Sequence, residues 1–292
     1  MPKPITATLL VSCRDRTGLV AALSNFVFAN GGNIIDADQH AESEHADGSG
    51  GSMFFMRLVW DVASFRLDRG GIAAAITDLA GRFELAWQLT YSDVRPRVVV
   101  FASKAPHCLY DLLLRQRLGE LDGEIVAVIA NHPDLRSAAE HFELPFHLVP
   151  VTPATKVAAE AEQERLLAHH RADLIVLARY MQVLSPALVA RWAGRVINIH
   201  HSFLPAFVGA KPYHQAKERG VKVIGATAHY VTAELDQGPI IEQDVTRVTH
   251  RDTVDDLVRK GRDLERQVLS RAVQAHLGQR VLVSGNRTIV FG

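Results

Sequence analysis

Asn198 and His200 stand two residues apart at the end of an apolar run, RVINI at 195–199, and Asp236 follows in a polar loop between two β-rich segments, 222–231 and 239–246. Residues i and i+2 of a strand share a face, so an amide and an imidazole would be aimed together from the strand's carboxyl end. Open α/β sheets bind ligands beyond that end. Such a set suits acyl chemistry. The amide N–H can hold a developing oxyanion, and the imidazole can move a proton near neutral pH. A carboxylate facing the imidazole can orient it, support its positive form or position a water. Taken singly, each residue has a plainer role. A strand-end histidine can be a hydrogen-bonded structural group, Asn198 can cap a turn, and Asp236 before Gln237-Gly238-Pro239 can simply form one. No H-E-x-x-H or comparable spacing is present, so no metal is implied.

The elements that must position these groups fall into two domains. Residues 5–13 read as a strand, followed by a helix with Leu19, Leu23, Phe26 and Val27 on one face, which Gly31-Gly32 can end in a left-handed cap. Strands are expected at 33–41 and 53–60, with a flexible hairpin loop, HADGSGG, between them. A second helix carries Ile72, Ile76, Leu79, Ala80 and Phe83, and a last strand spans 86–92. Arg95-Pro96-Arg97 breaks the pattern, so the expected domains are 1–92 and 97–292. In the second, apolar runs at 97–102, 124–130, 173–178 and 195–199 read as parallel strands buried on both faces, with helices between them. The fold class is therefore α/β: a ferredoxin-like βαββαβ domain followed by a doubly wound, mostly parallel, Rossmann-like domain. Thr253 to Asp256 resembles a capping box opening a long helix with Val254, Leu257, Val258, Gly261, Leu264, Val268 and Ala272 on one face. The final apolar run, 281–291, reads as one or two short edge strands.

Composition excludes several function classes. Lys+Arg and Asp+Glu balance at 32 each, which leaves no basic excess for nucleic acid or an anionic membrane surface. No stretch has the apolar length of a membrane span. The N-terminal apolar run meets Arg14-Asp15-Arg16 too soon for a signal peptide. Cys13 and Cys108 form neither a disulfide framework nor a metal spacing, so a cytoplasmic location is expected.

The motif N-I-H-x-S-x-L-P-x-F-x-G, followed by H-Y-V-x-x-x-L-D-x-G-P-I-I, resembles the formyltransferase fold of enzymes that use 10-formyltetrahydrofolate. The likeness runs from about residue 97 to about 280, and the superfamily's catalytic Asn-His-Asp triad falls on Asn198, His200 and Asp236. Three branches compete. A glycinamide ribonucleotide transformylase holds a substrate phosphate on a Gly/Ser/Asn-rich loop after its first strand, but the segment 101–108 here, FASKAPHC, has no glycine. A methionyl-tRNA formyltransferase would need a basic surface and an RNA-binding domain. The pair His200-His201 and the segment G-A-K-P-Y-H-Q-A at 209–216 resemble the formyltetrahydrofolate deformylases instead. That resemblance implies hydrolysis of 10-formyltetrahydrofolate, as substrate rather than cofactor, to formate and tetrahydrofolate, with formate supplied to purine synthesis and folate pools balanced. The rival within the fold is formyl transfer to an amine; an amino-acid-responsive regulator that binds folate without turnover is a third reading.

Further positions carry over from the resemblance. L-A-R-Y-M-Q-V-L at 177–184 is similar to the superfamily's pterin-holding segment, which places Met181, Gln182, Val183 and Leu184 against the substrate. Arg179 stands there in place of a usual glycine, and Gln182 in place of a common arginine. The plainer role for Met181 and Leu184 is core packing. His201 and Gly238 complete the substrate candidates; His201 has the plainer role of shaping its loop. In the first domain, Ser12 to Val20 and Gly31-Gly-Asn33-Ile resemble an ACT domain, which implies a small amino-acid effector near Asp15, Gly18 and Asn33 and pairing into a homo-oligomer. The plainer role is that Asp15 and Thr17 cap the helix while Gly18 permits the turn.

Overall fold

The structure, a computed structural model, describes residues 4–42, 51–205 and 212–292. Residues 45–50 of the expected loop 45–51 and residues 209–211 of the segment 209–216 lie outside them. The chain divides into two compact units: Met1–Arg95 with Gln279–Ser284 and Ile289–Gly292, and Pro96–Gly278 with Gly285–Thr288.

The first unit runs β1 (Thr6–Arg14), α1 (Leu19–Ala29), β2 (Asn33–Glu42), β3 (Met53–Asp61), α2 (Arg69–Phe83) and β4 (Ala86–Tyr91). Its antiparallel sheet has the order β2-β3-β1-β4, the ferredoxin-like arrangement that fits an ACT domain. Period-2 alternation explains the core. Phe54, Met56, Leu58 and Trp60 of β3 join Leu9 and Val11 of β1 against Leu19, Leu23, Phe26 and Val27 of α1 and Ile72 and Ile76 of α2. Gly31, at φ +76°, takes the left-handed conformation after α1.

The chain's last residues form two short strands, as expected, but Gln279–Ser284 and Ile289–Gly292 group with the first unit rather than the second. They are not edge strands of the second domain's sheet. β12 (Val281–Ser284) and β13 (Arg287–Val290) pair only with each other. The reason is the same alternation: Leu10 and Phe55 point away from the helices, and that second apolar face needs a cover. Phe291 is buried with them, and Leu282 and Ile289 pack alongside.

The second unit contains β5 (Arg97–Ala102), α3 (His107–Arg117), β6 (Glu124–Ala130), α4 (Arg136–His141), β7 (Phe146–Leu148), α5 (Lys156–His169), β8 (Leu174–Ala178), α6 (Pro186–Arg191), β9 (Val196–His200), α7 (Pro212–Glu218), β10 (Val223–Tyr230), β11 (Ile240–Arg247) and α8 (Val254–Leu277). Its seven strands lie in the order β11-β10-β9-β8-β5-β6-β7. The five from β9 to β7 are parallel, and β10 runs antiparallel to both its neighbours, β9 and β11. Residues 98–102, 125–130 and 174–178 are buried throughout, as strands covered on both faces must be. α8 opens with the expected capping box. Thr253 accepts from the Asp256 amide, and the Asp256 side chain accepts from the Thr253 amide. No helix among the described residues is long and apolar enough to cross a membrane.

Candidate active site

The site grows from one face of two neighbouring strands. β9 and β10 are antiparallel, with Asn198 opposite His229 and His200 opposite Thr227. Directly opposed residues share a face, so the two-residue period on each strand gathers all four side chains. Asn198 Nδ2 lies 3.3 Å from His229 Nε2. His229 Nδ1–H donates to the Tyr230 carbonyl at 2.9 Å, which turns Nε2 toward both the Asn198 amide and the Asp236 carboxylate. His229 thereby fixes how Asn198 presents its remaining polar atoms. Thr227, fully buried, holds the turn after β9. Its hydroxyl donates to the Ser202 carbonyl at 2.9 Å and accepts from the Leu204 amide at 3.0 Å.

Asp236 reaches this face from the loop between β10 and β11. The Tyr230 amide donates to the Pro239 carbonyl, which closes that loop. Gly238 is buried in the closure. A Cβ there would sit 1.7 Å from the Tyr230 carbonyl oxygen, so no other residue fits. Asp236 itself has φ +56°, a left-handed conformation that aspartate tolerates better than most residues. Its carboxylate spans two imidazoles, with Oδ2 3.3 Å from His200 Nδ1 and Oδ1 3.7 Å from His229 Nε2. Bonds from His200 and then His229 hold the carboxyl well below the usual range, against the opposing pull of burial. His200 is buried, and its Nε2 has no hydrogen-bond partner among the described residues. One imidazole nitrogen is thus oriented by a carboxylate while the other stays available for proton exchange.

The expected pterin segment leaves β8 one strand away, since Leu177 is in register with Asn198. Met181 and Val183 are 63% and 56% exposed, so core packing is not their role. Leu184 is buried in the core, and Tyr180 anchors the segment by accepting from Gln163 Nε2 at 2.6 Å. Gln182 is half-buried. Arg179 and Met181 both take left-handed backbone, at φ +61° and +60°, which accounts for a glycine being usual at the former.

A second cluster escaped the sequence reading. Glu265 lies in the middle of α8 and is almost wholly buried. Tyr213 donates to its Oε1 at 2.7 Å, His107 Nε2 lies 2.8 Å from Oε2, and Arg179 Nε lies 3.4 Å from the same oxygen. Burial pulls the Glu265 carboxyl up, but His107, Arg179 and Tyr213 together outweigh it and hold the group below its ordinary value. His201 lies between the clusters, its ring 5.2 Å from that of His200 and 6.1 Å from that of Tyr213. Burial, followed by the Arg179 guanidinium, lowers His201 to about 4. His107, Cys108 and Glu265 bring potential metal-ligand atoms within 4.8 Å of one another. The donor set does not suit a cation. Burial drives the Cys108 thiol well up, so it stays protonated, and both Glu265 oxygens are already held beside a guanidinium. A signal was available: Glu265 is a charge on the apolar stripe defined by Gly261, Leu264 and Val268.

The effector candidates do not converge within one chain. Asn33 is aligned across β3 with Thr6, whereas Asp15 lies beyond Arg14 at the other end of β1. Eight residues of strand separate the two ends, roughly 26 Å. Gly18 is at φ +91° with open space around it, so conformation rather than crowding calls for glycine. No side-chain bond caps α1.

A formyl transferase family model matches residues 96–273. The formyltetrahydrofolate deformylase of a Synechocystis strain is 54% identical over 98% of this chain and 99% of its own length. The crystal structure of a Pseudomonas syringae formyltetrahydrofolate deformylase superposes with a TM-score of 0.95 at 51% identity, covering 100% of this chain and 96% of that one. A glycinamide ribonucleotide transformylase from Symbiobacterium toebii matches with a TM-score of 0.63 at 31% identity, over 68% of this chain and 95% of its own. The transferase thus shares the second unit's fold, whereas the deformylases match both units from end to end. The chain belongs to the formyltetrahydrofolate deformylase family.

Proposed function

We propose that this protein hydrolyses 10-formyltetrahydrofolate to formate and tetrahydrofolate, using Asn198, His200 and Asp236 and needing no cofactor. The observation that carries the mechanism is the division of labour on His200, with Nδ1 on Asp236 and Nε2 unpartnered. His200 Nε2 takes a proton as water attacks the formyl carbon. Asn198, its amide oriented by His229, donates to the oxyanion. Asp236 steadies the imidazolium. His200 then returns the proton to N10 as the C–N10 bond breaks. Each oxyanion donor in such a site contributes roughly 3–4 kcal/mol to the transition state. The pterin lies along 181–184, where the outward side chains of Met181 and Val183 offer apolar contact and the backbone offers polar edges. The test is incubation with 10-formyltetrahydrofolate alone. Formate and tetrahydrofolate should appear in equal amounts; tetrahydrofolate released only on addition of an amine, with an N-formyl amide in place of formate, would refute hydrolysis.

The first unit supports a regulatory reading. A small amino acid held by Asp15, Gly18 and Asn33 requires two copies of the chain, because one copy separates these residues. Effector binding and homo-oligomer formation therefore stand as one proposal. Equilibrium dialysis with free amino acids at protein concentrations above and below dissociation tests it, and binding by the dissociated chain would refute it. The buried, unpaired Cys13 and Cys108 suit a reducing cytoplasm.

A further inference from the structure

The strand order changes direction between β5 and β8, which places the ligand crevice of this sheet between the loops that follow those two strands. A second substrate bound beside the formyl group would have to enter there, one strand over from His200. The Glu265 cluster bridges that crevice. His107 begins α3 immediately after the β5 loop, and Arg179 immediately follows β8, yet both meet the same carboxylate oxygen. Tyr213 closes from a third side. Its hydroxyl binds the other oxygen, and it occupies a notch in α8 that exists only because residue 261 is glycine: a Cβ there would sit 1.9 Å from the hydroxyl. His201 joins this assembly to His200. Arg179 holds a left-handed backbone, a conformation that strains a non-glycine residue. Glycine would avoid that strain and leave the crevice open. Strain retained at such a position points to function.

We propose that His107, Arg179, Tyr213 and Glu265 form a plug that restricts the formyl acceptor to water. The inference rests on the hydrolase reading above and adds to it the reason an amine does not compete. With water, oxygen bonds to the formyl carbon, the C–N10 bond breaks, and N10 gains a proton. With a primary amine, nitrogen bonds to the same carbon, an N-formyl amide forms, and the amine's proton goes to N10. The plug decides which nucleophile reaches the carbon, not how the bond breaks.

The experiment supplies 10-formyltetrahydrofolate with excess glycinamide to the full-length protein and measures formate and N-formylglycinamide by mass spectrometry. The wild type should yield formate alone; if it formylates glycinamide readily, the plug does not exist. R179G relaxes the backbone while opening the crevice and should raise the amide-to-formate ratio at least tenfold. Y213A should raise it as well, and Y213F, which keeps the ring in its notch, should stay close to wild type. An unchanged ratio in folded R179G and Y213A overturns the proposal. So does loss of both products in folded protein, which would make the cluster part of the catalytic support. Absence of formate from the wild type would instead defeat the hydrolase reading itself.

Discussion

Two histidine–carboxylate clusters lie in the second unit, and they differ in what surrounds the carboxylate. Asp236, on a loop, meets two imidazoles. Glu265, in the middle of a helix, meets a guanidinium and a phenol as well as an imidazole, and both its oxygens are held. On the proposed mechanism the same pair of residue types reacts in one place and is fixed in the other. A loop carboxylate set between two imidazoles marks the cluster proposed to react. A helix carboxylate with both oxygens held, by a phenol on one and by an imidazole and a guanidinium on the other, marks the structural one.

The sharpest way to break this comparison is to exchange the expected consequences. Removing the charge in E265Q leaves a buried guanidinium without its counterion, and breaking a buried pair costs about 3–5 kcal/mol. The melting temperature should fall by roughly 10 °C. Hydrolysis per folded molecule should stay within about tenfold of wild type, since each tenfold is only about 1.4 kcal/mol in the barrier. A melting temperature unchanged by E265Q would mean that the cluster is not the structural one. D236N should do the opposite. Asparagine accepts the left-handed backbone at position 236, so stability should change little. Turnover should fall by roughly two to three decades with KM nearly constant, because orientation and charge at His200 are lost. Near-normal formate release by D236N would remove it from the mechanism.

Much of the reactive cluster was legible in the sequence, and the fixed one was not. Asn198 and His200 announce themselves through strand period and position at a strand end. Asp236 needed the family motif, because 38 residues separate it from Asn198 and only the fold brings it back. His229 sits in a strand whose apolar neighbours make it look like core, and its role depends on β9–β10 register, which no local pattern encodes. Glu265 and Arg179 each broke a local rule, a charge on an apolar stripe and an arginine at a glycine position. Neither rule says that the two exceptions answer one another. In the first unit, alternation gave the helix-facing core correctly. Its other face, Leu10 and Phe55, asked for a cover that came from nearly the whole chain length away, at Phe291. β7, three residues long, was too short to carry a period.

The residue between the clusters offers a pH test. His201 is lowered to about 4 from an ordinary 6.5, and His276, buried against the Tyr230 hydroxyl, is likewise lowered to about 4. The unfolded chain takes up these protons below about pH 6.5, whereas the folded chain resists until about pH 4. Stability from both groups is therefore complete above pH 6.5 and declines as pH falls toward 4. The loss should be on the order of 1–2 kcal/mol for each group at pH 5. Urea unfolding at pH 7.5 and pH 5 measures it. H201Q should reduce the difference, and a pH-independent midpoint would show that neither imidazole is held neutral.

The smallest expected effect tests whether His229 belongs to the reactive cluster as a positioning residue. H229Q removes the ring that fixes the Asn198 amide and one of the two groups on Asp236. Neither change removes a group placed on the substrate, so the loss should be about tenfold in kcat, about 1.4 kcal/mol, with KM unchanged. A packing defect alone could also slow the enzyme. The distinguishing readout is the acid side of the pH–rate profile. Losing one of its two imidazole partners raises the Asp236 carboxyl toward its ordinary range, so activity should begin to fail at a higher pH than in wild type. A slower enzyme with an unshifted acid limb would leave His229 as core and reduce the reactive cluster to three residues. Unchanged kcat would go further: the Asn198 amide would then hold its orientation without the His229 ring, and strand register would not be what assembles the site.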